Sequence, residues 1–120
     1  MNYIEQFRNK YEYINHETLA LAAQEDPQLL KDLIENSELN QLALGIALSS
    51  LGEAMIPDYL DFIKSYTTHS SSLVQEGAYR GLGRYLDDPI KYGFILVYLK
   101  EEANKPLPEP VLKTINSQIK

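Results

Sequence analysis

The side chains able to do chemistry are few, and their spacing does not suit it. Two histidines, His16 and His69, stand in a chain without cysteine. That composition excludes disulfides, thiolate zinc sites, iron–sulfur clusters and cysteine nucleophiles together. His16-Glu17 sets an imidazole beside a carboxylate, yet no His-Glu-x-x-His follows. Two histidines do not fill a structural zinc site, so no metal and no other cofactor is expected. His69 lies in Thr67-Thr-His-Ser-Ser-Ser72, where an imidazole adjoins hydroxyls. A serine nucleophile of the hydrolase type needs a strand-to-helix elbow to present it. This stretch reads instead as an interhelical loop with a capping serine.

Carboxylates come in pairs: Asp58 with Asp61, Asp87 with Asp88, Glu101 with Glu102. Acid–base catalysis needs two carboxyls in different environments. Asp58 and Asp61, three residues apart, share one exposed helix face and so one environment. Like charges at that spacing cost about 0.2–0.5 kcal/mol in an isolated helix. A basic partner relieves that cost, and a plain solvated face is the alternative reading. Gly77, Gly81 and Gly83 match neither the dinucleotide fingerprint nor the P-loop, and no strand precedes them. Close packing between helices accounts for them. No catalytic residue is assigned, and the chain reads as a non-enzyme.

The elements carrying these residues are helices. The chain has 120 residues, 44% hydrophobic and 23% charged, a composition that suits one globular domain. No apolar run reaches the ~18 residues of a membrane span, and the N-terminus does not read as a signal peptide. A cytoplasmic protein with no membrane contact is expected. Apolar spacing of three and four dominates, without strand alternation or hairpin turns. It predicts helices over about 3–13, 16–24, from Asp26-Pro27, after Ser37 to about 51, 54–66, 72–86, from Asp88-Pro89, and 111–119. Asn15 reads as an N-cap. Asp26-Pro27 and Asp88-Pro89 place Asp at the cap and Pro at the first helical position. Gly52 reads as a C-terminal glycine, and Pro106, Pro108 and Pro110 break the chain.

A shift of 34 residues superposes two blocks. Leu39 falls on Leu73, Ala43 on Gly77, Leu44 on Ala78, Ala47 on Gly81 and Leu48 on Leu82. Beyond them Ile56 falls on Ile90, Leu60 on Phe94, Phe62 on Leu96 and Ile63 on Val97. Each block is a helix pair with a small-residue first helix and a bulkier second. The run Ala47-Leu-Ser-Ser-Leu-Gly-Glu-Ala-Met-Ile-Pro-Asp-Tyr-Leu60 resembles the HEAT-repeat pattern, and Val74-Gln-Glu-Gly-Ala-Tyr-Arg-Gly-Leu-Gly-Arg-Tyr-Leu-Asp87 is similar to its first-helix half. The resemblance covers about residues 37–100. It implies an all-α fold: a short HEAT-like superhelix of about three helical hairpins with capping helices. Residues 1–36 form an N-terminal cap and degenerate repeat, 37–68 and 70–103 the two repeats, and 107–120 a C-terminal capping helix. On that reading the chain is a complete short stack.

Net charge is −6. Residues 17–88 hold 12 acids and 4 bases, net −8, and the two ends hold 5 acids and 7 bases, net +2. The basic stripe of a nucleic-acid binder is absent from the middle, and Arg80, Arg84 and Lys91 are too few to supply one. An acidic body favours basic partners. Nine tyrosines stand against three phenylalanines and no tryptophan, and tyrosine is frequent in binding hot spots. The 34-residue shift sets Asp58 at Tyr92 and Asp61 at Ile95. The resemblance implies that second helices line a concave face. The expected partner-binding residues are therefore Asp32, Glu35, Asp58, Asp61, Tyr59 and Tyr92. Two readings follow. One is an immunity protein that neutralises a basic, nuclease-type bacterial toxin; the other is a general adaptor or scaffold for another protein. The sequence sets no oligomeric state.

Overall fold

A computed structural model describes residues 2–36 and 39–120. Among them are eight α-helices and no strand: α1 (Tyr3–Tyr11), α2 (His16–Glu25), α3 (Pro27–Asn36), α4 (Gln41–Glu53), α5 (Leu60–Lys64), α6 (Ser72–Arg84), α7 (Pro89–Glu102) and α8 (Glu109–Gln118). Single 3-10 turns cover Pro57–Tyr59, Ser65–Thr68 and Tyr85–Asp87. No helix among the described residues is long and apolar enough to cross a membrane.

Five helix starts follow one chemistry, whereas the expected serine cap of α6 is not made: the Ser71 hydroxyl donates to Gln41 Oε1 at 3.0 Å instead. Asn2, Asn15 and Asn40 each accept a backbone N–H three residues on, at 2.9, 2.9 and 2.8 Å. Thr18 returns the bond by accepting from the Asn15 N–H at 3.0 Å, completing a capping box. Asp26 and Asp88 accept from Leu29 and Lys91 at 3.3 Å, as the Asp-Pro pattern predicts. The start of α4 falls at Asn40, beyond the expected start after Ser37, which lies outside the described residues.

The core is layered. Helices α2, α4, α6 and α8 pack one after another, with α1 on α3, α3 on α2 and α4, and α5 and α7 on α6. Phe7, Leu30, Leu33, Leu48, Leu51, Ile63, Leu82, Leu99 and Ile115 are buried completely. Helices α4 and α6 are the closest pair. A methyl group on Gly45 would stand 2.6 Å from the Leu73 carbonyl oxygen, and one on Gly81 would stand 2.6 Å from the Leu48 oxygen. Gly77 lies on the Gly45 backbone and Gly52 on that of Gly81. Contacts advance along both helices together, so the two run parallel with touching backbones. Gly52 therefore does not end its helix, as the sequence suggests. The turn is made by Met55, whose φ of 50° lies in the left-handed region and costs a side-chain-bearing residue about 1–2 kcal/mol. Two tyrosines of the next block hold that link. Tyr85 Oη donates to the Ile56 carbonyl at 2.6 Å, and Tyr92 Oη to that of Met55 at 3.5 Å.

The expected helix over 54–66 is mostly turn. Pro57 opens a 3-10 turn, and only Leu60–Lys64 is α-helical. The register between blocks also changes within the repeat. In the first helices the 34-residue shift pairs buried with buried: Ala47 with Gly81, Leu48 with Leu82, Leu51 with Tyr85. In the second it pairs buried Ile63 with exposed Val97. A shift of 33 sets Tyr59 on Tyr92, while Ile63 then falls on half-buried Leu96. Both tyrosines are buried, and both have a near-bridge backbone, φ −96°, ψ −5° and φ −116°, ψ 24°.

Candidate functional site

Helix α3 and the 57–64 segment, both bearing acids, are joined through Gln28 and Lys31. Tyr59 is 8% exposed, and its hydroxyl donates to Gln28 Oε1 at 3.0 Å, tying the second helix of one block to α3. Burial pushes its pKa up, and the charges of Asp32, Asp26 and Asp58 push it the same way. Asp26 is itself paired with Lys10 Nζ at 3.0 Å. Burial raises Tyr66 as well, with Glu35 adding to it. Lys31 Nζ bridges the two elements, 3.4 Å from Glu35 Oε2 and 4.6 Å from the centre of the Phe62 ring.

Of the expected contact residues, Glu35, Asp58 and Asp61 are exposed and Asp32 is half-buried, accepting from Gln28 Nε2 at 3.0 Å. Asp61 also edges a groove lined by Pro57, Leu60, Lys64, Phe94 and Tyr98. Tyr59 and Tyr92 lie elsewhere than expected. Tyr92 is 4% exposed, and its ring meets Tyr85 edge-on at 5.0 Å between centroids. Both rings are core, and they support the acidic surface from below. The one-residue change of register places Lys91 and Phe94 at the positions of Asp58 and Asp61.

One buried charge is missed by the sequence reading. Glu102 is 5% exposed and accepts from Tyr79 Oη at 2.8 Å and Tyr98 Oη at 2.9 Å. Lys105 completes its shell as an ion pair. Burial alone would raise the Glu102 pKa, but hydrogen bonds from Lys105, Tyr79 and Tyr98 outweigh it and hold it below the ordinary range. Burial pushes Tyr98 up to about 12, and Tyr79 also upward. The carboxylate stays charged and the phenols stay neutral through the neutral range. That suits an anchor between α6 and α7 better than a proton shuttle. The signal for it is half present: Tyr98 and Lys105 stand at helical spacings from Glu102, whereas Tyr79 does not.

The histidines remain apart from any such cluster. His69 Nδ1 accepts the Ser71 N–H at 3.0 Å, a loop-closing bond. His16 is exposed and lines a groove with Leu42, Ser49, Glu53, Arg80 and Arg84. There Arg84 pairs with Glu53 at 3.2 Å, and Arg80 pairs with Glu76 at 3.5 Å. No group of His, Asp and Glu among the described residues has a metal-binding arrangement. No protein-family model, curated protein or solved structure matches the chain.

Proposed function

We propose that the chain is a short HEAT-like stack acting as a non-enzymatic protein-binding module. Its specific task, on this reading, is cytoplasmic immunity: direct neutralisation of a basic, nuclease-type bacterial toxin. The observation that carries it is that Tyr59 Oη on Gln28 and Lys31 over the Phe62 ring hold α3 beside the 57–64 segment, where Glu35, Asp58 and Asp61 are exposed. Acids held by two separate elements form one surface, in a chain of net charge −6. Such a surface speeds encounter with a basic protein and selects it over neutral ones. Asp32, Glu35, Asp58 and Asp61 are the contact residues, and Tyr59 and Tyr92 fix the elements that bear them. The parallel packing of α4 on α6 and the matched burial of these two first helices support the stacked arrangement. The test is co-expression with a toxin domain encoded directly upstream. Growth rescue by the chain supports the reading, and absence of both rescue and binding removes it.

A further inference from the structure

Asp61 stands at the rim of the groove between the 57–64 segment and α7. The walls are apolar: Pro57 and Leu60 from one element, Phe94 and Ile95 from the other, with fully buried Leu82 of α6 behind them. Phe94 is 58% exposed, a large apolar side chain left open to solvent beside an acid. The groove holds about 210 Å³. Sites for whole small molecules run from about 300 Å³ upward, so the space suits one inserted side chain better than a free ligand.

The carboxylates here have no cation of their own. Asp26 and Glu35 of the same surface are paired with Lys10 and Lys31. Asp58 and Asp61 enter no ion pair among the described residues. Lys64 lies one helical turn from Asp61, yet its Nζ sits over the Tyr98 ring, 4.4 Å from the centre. Lys91, at the start of α7, sits over the Tyr92 ring in the same way, at 5.4 Å. Rings hold both lysines, and Asp61 is left for a cation from outside.

An unpaired carboxylate at the lip of an apolar groove, beside an open aromatic ring, selects an amphipathic cation. Arginine has the three parts required. Its aliphatic stem lies along apolar surface, its planar guanidinium stacks on an aromatic face, and the same group donates two hydrogen bonds to one carboxylate. Lysine offers a compact, strongly hydrated charge that neither stacks nor bonds in parallel.

We propose that this groove receives an arginine side chain of the basic partner. The stem packs between Leu60 and Ile95, and the guanidinium lies against the Phe94 ring and bonds to the Asp61 carboxylate. The proposal deepens the acidic-surface reading and rests on it for the partner, whereas the preference for arginine rests on the groove alone.

The first arm of the test is amide chemical-shift titration of the full chain with N-acetyl-arginine amide into the millimolar range. N-acetyl-citrulline amide and N-acetyl-lysine amide are the controls. Saturable shifts of the 57–64 and 94–98 amides are expected with arginine, at least fivefold weaker with either control. Asp61→Asn and Phe94→Ala should each abolish them with unchanged helical circular dichroism, since both side chains are exposed. Absence of saturable shifts at the groove, an equal response to either control, or indifference to both substitutions overturns the proposal. The second arm titrates the product of the gene directly upstream. Phe94→Ala should weaken its binding at least tenfold, and Phe94→Ala with Asp61→Asn should cost less than the two singly combined, because both act on one side chain. Binding indifferent to Phe94→Ala overturns the groove as the partner's site and leaves the acidic surface standing. No binding by the unaltered chain removes the functional reading, and the arginine titration then decides the groove by itself.

Discussion

Glu102 shows most plainly how a single residue links pH to the fold. Its folded pKa is depressed, so its contribution is fully present above the unfolded value of about 4.3 and is lost as pH falls through the folded value. Acid denaturation should therefore begin below about pH 4.3. Glu102→Gln, which ends the Lys105 pair and weakens two phenol hydrogen bonds, should cost about 2 kcal/mol at neutral pH and flatten the acid limb. Urea melts across pH would check both. The tyrosines act in the opposite sense. Burial raises Tyr79, Tyr85 and Tyr98, so their contribution is full below the unfolded value of about 10 and lost as pH rises through the folded values. Tyrosinate absorbance of these buried phenols should appear together with loss of helical signal, rather than titrating near pH 10 in an intact fold. The sequence shows Tyr98 and Lys105 around Glu102 through helical spacing. Tyr79 enters from another helix, and that contact depends on tertiary packing no local pattern encodes.

Between elements, the deciding contact is that of α4 with α6. The small residues of the two first helices announce close packing in the sequence, and the structure adds Gly45 and Gly52 to them. The Gly77 position abuts backbone that cannot move aside, so Gly77→Ala should destabilise by about 3 kcal/mol or more. Gly93→Ala, where a methyl group meets nothing within 4 Å, should stabilise the fold by about 0.5–1 kcal/mol. Thermal melts of the two variants in dilute solution would separate a packing glycine from an unpartnered one. Helix starts are legible because Asn and Asp cap through their own side chains, as at Asn15, Asp26 and Asp88. The second helices are less so. Pro57 tightens the first turn to 3-10, Met55 takes a left-handed turn, and the burial of Ile63 does not recur at Val97. Tyr59 and Tyr92 turn into the core instead of outward, because a period match at small first-helix residues carries no information about how the second helices are rotated.

For the molecule as a whole, layering and charge are set separately. Its radius of gyration, 13.9 Å, is close to the ~13.6 Å of a compact chain this long, so the helices pack into a compact body. The all-helical class follows from apolar spacing. The acidic surface follows from composition, and its coherence rests on α3 lying beside the 57–64 segment, an adjacency no single helix pattern contains. The most direct measurement is calorimetric titration of the chain into the product of the gene directly upstream, which the proposed function expects to be a basic toxin domain, at low and physiological salt. Unaltered chain should bind it, more tightly at low salt, and Asp58→Lys with Asp61→Lys should reduce affinity at least tenfold. Equal affinity of the reversed variant at both salt concentrations would contradict the acidic-surface account.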